Sequence, residues 1–237
     1  MAKKALVLSG GGMFGAWQAG AWNVLAKNFR PDIVVGASVG SLNGYAIASG
    51  IPPEELCDRW THPERVGLDR LDESIAGLLK RPLQLEYAVV LTDVLRMKPV
   101  VFTGAQVTAA HLAASCAVPL AKLPVRIAGC WYVDGGLLNP LPVFAAVELG
   151  ATEILGLHAL PYLPGVVLPM LAKPFLAVFG YRPPLPAHVR LATLKPPARL
   201  GSWSEAIWWN QNNSRRWLKE GAEAAEKNIS ALNCLAS

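Results

Sequence analysis

Short apolar runs closed by glycine alternate with longer stretches of small and apolar residues from the front of the chain. Ala5-Leu6-Val7-Leu8 ends on Ser9 and three glycines, and Ile33-Val34-Val35 ends on Gly36. Runs of this length, bounded by turn residues, predict buried strands over 5–9 and 32–36. The stretches that follow predict helices, from about Phe14 to Asn28 and from Ser38 to Ser49. Pro52-Pro53 opens another helix, and residues 61–83 are polar and irregular, as expected of a helical excursion at the surface. Strands are then predicted over 86–94 and 99–104, a helix over 105–115, and two short strands in "LPVRI" and "CWYVDGG". A helix from about Pro142 to Leu149 leads into a strand over 152–160. Residues 161–186 are rich in proline and leucine, 188–194 form a late strand, and 202–232 one long closing helix. Trp203, Ile207, Trp217, Gly221, Ala225 and Leu232 recur on nearly one face of that helix, the pattern of a core-facing stripe. Strand–helix alternation of this kind implies a mainly parallel sheet with helices on its faces.

Composition sharpens the picture. The 237 residues suit a single α/β domain, 1–237. Only 16% are charged, against roughly 25% in an average soluble domain. Residues 5–26, 33–53 and 100–121 each lack Asp, Glu, Lys and Arg, and about twenty such positions can span a bilayer. Each nevertheless holds several Gly, Asn, Gln, Ser, Thr or His residues, as buried parallel strands and their helices do. The net charge of +5 is scattered in single residues and pairs. It implies a mild attraction to anionic surfaces and no nucleic-acid footprint. Cys57, Cys116, Cys130 and Cys234 lie far apart, so neither a disulfide framework nor a zinc site is suggested. The opening Lys3-Lys4 resembles a signal n-region, but the apolar run after it is cut after four residues. A reduced, cytoplasmic protein is expected.

Three motifs carry chemistry. "GASVG" sets Ser38 between Gly36 and Gly40, after a strand and before a helix. A serine hydroxyl is a weak nucleophile, and such an elbow exposes it where a base and backbone donors can reach one substrate carbonyl. "SGGGMFG" places Gly10, Gly11, Gly12 and Gly15 between the first strand and the first helix. It also fits a dinucleotide fingerprint, but the acid of that fingerprint belongs at the far end of the second strand, where Ser38 stands and not Asp32. Bare N–H groups beside a helix N-terminus suit an oxyanion hole better. One crossover separates the two loops. If their strands are neighbours, they are parallel and about 4.8 Å apart, with both loops at one edge. The third motif, "YVDGGLLNPLPV", holds Asp134 between a short strand and Gly135-Gly136, a setting that can aim a carboxylate into a cleft.

In this order, the motifs resemble those of the patatin-like phospholipase family, closely over about residues 5–160. "AASCAVPL" ahead of the aspartate is similar to the family's lead-in segment. The resemblance implies a three-layer α/β/α sandwich and a serine–aspartate dyad that hydrolyses acyl esters of lipids. By position, Ser38 is then the nucleophile, Asp134 the general base, and Gly10, Gly11 and Gly12 the oxyanion loop. That chemistry needs neither metal nor cofactor and implies a lipid substrate, while the mild positive charge and an apolar stretch over 161–186 are the grounds for expecting peripheral contact with a membrane surface. Many members carry Arg or Lys where this chain has Phe14. Two other readings stay open: an α/β-hydrolase esterase using Ser38, Asp134 and either His158 or His188, and an inactive lipid-binding scaffold of the same fold. Within 161–186, Lys173 and Arg182 are the only charges, so this stretch is either a proline-bounded buried helix or an element that touches lipid through residues such as Phe175 and Phe179.

Overall fold

The computed structural model describes residues 2–62, 70–118, 122–162 and 176–232. β1 (Lys4–Leu8), β2 (Ile33–Ala37) and β3 (Glu86–Asp93) are parallel neighbours, and β7 (Glu153–Leu157) and β8 (Arg190–Leu194) extend the parallel run beyond β1. The other edge is antiparallel: β4 (Lys98–Thr103) and β6 (Cys130–Asp134) both pair with β3, and β5 (Val125–Ile127) pairs with β6.

Strand residues alternate strictly between two cores, as the twofold repeat of a strand requires. Leu6, Leu8, Val34, Tyr87, Val89 and Leu91 face a large apolar layer. It is built with α1 (Gly15–Leu25), α2 (Val39–Ala48), α3 (Pro53–Thr61), α4 (Leu71–Leu79) and α5 (Ala109–Ser115). Ala5, Val7, Ile33, Val35, Ala88 and Val90 face a smaller layer under α6 (Val143–Glu148). Helices therefore cover both faces, as expected of a three-layer sandwich.

The single closing helix expected over 202–232 is two helices, α7 (Trp203–Ile207) and α8 (Gln211–Leu232). Trp208 is extended at the end of α7. The Asn210 side chain then accepts the Asn213 N–H at 3.1 Å and starts α8, as an asparagine cap does. The break divides the apolar stripe: Trp217 and Ala225 are fully buried, while Trp203 is half exposed. α8 lies along α1 at backbone contact, since a Cβ on Gly20 would overlap the Leu218 carbonyl and one on Gly221 the Trp17 carbonyl. Half of the segment expected to touch lipid, residues 163–175 with Phe175 included, falls outside the described residues; Phe179 is half exposed. Among the described residues no helix is long and apolar enough to cross a membrane.

Candidate active site

The edge of β3 brings the serine and the aspartate together. β4 takes up one edge of β3 from Ala88 to Asp93, so β2 and β6 share the other. β2 runs parallel to β3 and stops with Ala37 opposite Val90; β6 runs antiparallel and stops with Asp134 opposite Leu91. Two strands thus meet end to end at adjacent positions of one ladder. The residue leaving the first is Ser38.

Ser38 turns the chain with φ 54° and ψ −134°, outside the conformations that L-residues normally occupy. Such strain costs on the order of 1–3 kcal/mol and persists only where the surroundings fix it. Here glycine lets the backbones close in. A Cβ on Gly36 would overlap the Gly40 carbonyl, and one on Gly40 would lie 2.5 Å from the carbonyl oxygens of Leu8 and Ser9. The Ser38 N–H, turned out of the ladder, donates to Ser115 Oγ at 2.8 Å, and Ser115 donates in turn to the Val90 carbonyl at 3.2 Å. The Ser38 carbonyl accepts from Ser41 Oγ at 2.6 Å.

Asp134 is buried. Its Oδ1 accepts the Gly136 N–H at 2.7 Å, and its backbone N–H donates to the Ala117 carbonyl at 3.1 Å. Burial pushes the carboxyl up to about 6, with hydrogen bonds from the Ser38 hydroxyl and the Gly136 N–H partly offsetting the rise. Gly135 has the same necessity as the elbow glycines, because a Cβ there would overlap the Val90 carbonyl.

The glycine loop lies over the same point. A Cβ on Gly10 would sit 3.2 Å from Ser38 Cβ, and one on Gly136 would sit 3.9 Å from Gly10 Cα. The Gly10 N–H is already engaged by the Pro140 carbonyl at 3.1 Å. Among the described residues the N–H groups of Gly11 and Gly12 have no protein acceptor. Phe14, at the position where a basic residue was expected from the resemblance, is buried edge-on against Trp217 with ring centroids 5.0 Å apart. The loop is therefore tied to α8 by apolar packing. A buried polar chain supports it from below: Gln18 donates to the Ser9 carbonyl at 2.8 Å, Asn43 to Gln18 at 3.1 Å, and Trp60 to Asn43 at 3.1 Å.

No imidazole completes a triad among the described residues. His158 is held down to about 4 by burial and by the nearby Lys195 and Arg182, whereas a triad carboxylate would raise it. His188 is exposed, and His111 caps α5 through Thr108. Nor do three or more His, Cys, Asp or Glu side chains gather as a metal site would, among the described residues. Sequence reasoning found Ser38, Asp134 and the glycines but missed Ser115, Gln18 and Asn43. Ser115 lies within the "AASCAVPL" segment; the other two carry no local pattern.

The family model of the patatin-like phospholipases matches residues 6–83 and 99–147, and the chain belongs to that family. Uncharacterized NTE family proteins of Mycobacterium bovis and Mycobacterium tuberculosis are 30% identical over 159 residues, covering 59% of this chain. The chain spans 44% of the length of these curated relatives. Among solved structures, VipD from Legionella pneumophila shares the fold with a TM-score of 0.57 at 12% identity, over 97% of this chain and 67% of its own.

Proposed function

We propose that the protein is a lipid acyl hydrolase that cleaves carboxylic esters of phospholipids or related lipids through an acyl-Ser38 intermediate. The observation that carries this reading is the end-to-end meeting of β2 and β6, which sets the Ser38 hydroxyl against a buried carboxylate of raised pKa. Family membership supports it. A carboxylate near 6 is a better base than an ordinary one and is still ionised at neutral pH. Asp134 accepts the Ser38 proton as Oγ attacks the ester carbonyl carbon. The Gly11 and Gly12 N–H groups hold the developing oxyanion, each such donor contributing about 3–4 kcal/mol. Collapse of the tetrahedral species expels the alcohol, which takes the proton from Asp134. Water, deprotonated by Asp134, then attacks the acyl-serine and releases the fatty acid.

The test is labelling by a fluorophosphonate together with product analysis on a lipid panel by mass spectrometry. Labelling is expected at Ser38, and Ser38→Ala and Asp134→Asn are each expected to lose at least about a thousandfold in rate while staying folded. Wild-type turnover in either variant would refute the assignment. A folded wild-type protein that neither labels nor hydrolyses any lipid would favour the scaffold reading.

A further inference from the structure

The C-terminal ends of the parallel strands, where Ser38 lies, form one edge of the sheet, and five of the eleven exposed large apolar side chains among the described residues gather around that edge. Leu95, 79% exposed, is in the turn between β3 and β4, which rises past Asp134. Trp131 stands on β6 beyond the end of β3, where its carbonyl accepts the Val94 N–H, and Leu123, 86% exposed, leads into β5. On the opposite flank, α7 rests on the glycine loop at Gly12 and presents Trp203 and Trp208, the latter 69% exposed.

Among the described residues, the charges at this edge that lack an opposite partner have one sign. Lys98 follows the β3–β4 turn, Lys122 and Arg126 flank Leu123, and Lys195 and Arg199 leave the end of β8. Among the described residues none of these five is paired with a carboxylate. The acids at this edge are otherwise engaged: Asp93 is buried against Arg96 and Glu205 pairs with Arg216. The opposite edge is different, because there Glu86 and Glu153 are paired with Lys3, Lys4 and Arg190.

We infer that the edge around Ser38 is a docking face for an anionic lipid bilayer, entered by Leu95, Leu123 and Trp131 on one flank and by Trp203 and Trp208 on the other. The inference rests on the proposed lipid hydrolase reading for its orientation, since docking on this edge turns the serine toward its substrate. Apolar side chains enter the acyl boundary while the cations without a carboxylate partner meet the phosphate layer. A soluble apolar ligand would account for the leucines and tryptophans but not for the ring of unpaired cations.

The test uses Ser38→Ala protein, so that vesicles stay intact, and sedimentation with phosphatidylcholine vesicles with and without phosphatidylglycerol. Binding is expected to require the anionic lipid and to weaken with added salt. Leu95→Glu with Leu123→Glu, and separately Trp208→Glu, should weaken partitioning at least about tenfold. Leu191→Glu, on β8 away from this edge and equal in charge change to Trp208→Glu, should not. In the Ser38 background, Leu95→Glu with Leu123→Glu should leave hydrolysis of a short water-soluble ester unchanged. Vesicle binding that ignores these substitutions, or is lost equally with Leu191→Glu, overturns the docking face. Concentration-dependent self-association abolished by the same substitutions also overturns it, by placing a second copy there. Patterned vesicle binding in a protein that hydrolyses nothing would leave the docking face standing and refute the hydrolase. Soluble-ester turnover without vesicle binding would do the reverse.

Discussion

Ser38 is held chiefly by the N-terminal β1–β2–α2 segment, with one hydrogen bond to Ser115 of α5, whereas Asp134 is held from across the sheet. The serine's strained turn is clamped by backbone contacts among β1, β2 and α2, all neighbours in sequence, with glycine wherever two main chains touch. The aspartate reaches the same point only through the pairing of β6 with β3 and the stop provided by Ala117. One side stores its cost as backbone strain, the other as a buried charge. The difference says that Ser38 is secured mainly by local geometry and Asp134 by long-range packing, so the two should respond to different perturbations.

The largest expected effect comes from the main-chain contact on the aspartate side. Gly135→Ala must displace either the Val90 carbonyl or Asp134 itself, and a loss of about a thousandfold or more in kcat/KM is expected. Gly10→Ala meets only the Ser38 side chain at 3.2 Å and should cost clearly less. Equal losses would show that the two sides are equally rigid.

Charge separates the sides next. A carboxyl raised from 3.8 to about 6 binds its proton more tightly in the folded state, so stability is lost as pH rises through that window. Asp134→Asn removes that cost. Its stability relative to wild type should therefore be about 2 kcal/mol more favourable at pH 8 than at pH 4, as read from denaturant unfolding. Ser38→Ala removes a hydrogen bond that lowers the Asp134 pKa, so it should instead be less favourable relative to wild type at pH 8 than at pH 4. For the wild type, kcat/KM should fall as pH drops below about 6.

A smaller effect is expected at the joint between the two sides. Ser115→Ala leaves the buried Ser38 N–H without its acceptor, at a cost of about 1–3 kcal/mol in stability, and should slow turnover with it. Ser115→Thr, which keeps the hydroxyl, should recover part of both. The smallest effect belongs to His158. Its replacement by Gln should lower turnover less than about tenfold, because Asp134 already carries the proton. A thousandfold loss in a folded protein would bring the triad back.

What could be read from the sequence follows the same division. Gly36, Gly40 and Gly135 were legible because a backbone contact excludes every side chain, leaving a residue signature that does not depend on context. The parallel pairing of β1 with β2 was legible because one crossover joins them. The sharing of the β3 edge by β2 and β6 was not, since antiparallel pairing over three residues leaves no period to detect. The break between α7 and α8 was hidden for another reason: apolar residues continue through Trp208 and Trp209, and one capping asparagine decides the matter. Phe14 was noted as a missing charge. Its partner Trp217 is distant in sequence, so its packing role could emerge only from the fold.

The end-to-end junction on β3 also imposes an order of events. A growing chain acquires its serine, its glycine loop and the helices behind them before β6 has been made. Until that strand docks, the Ser38 hydroxyl has no carboxylate beside it, and a two-residue slip of β6 along β3 would carry that carboxylate roughly 7 Å away. The pairing of hydroxyl and carboxylate is thus a readout of a finished sheet.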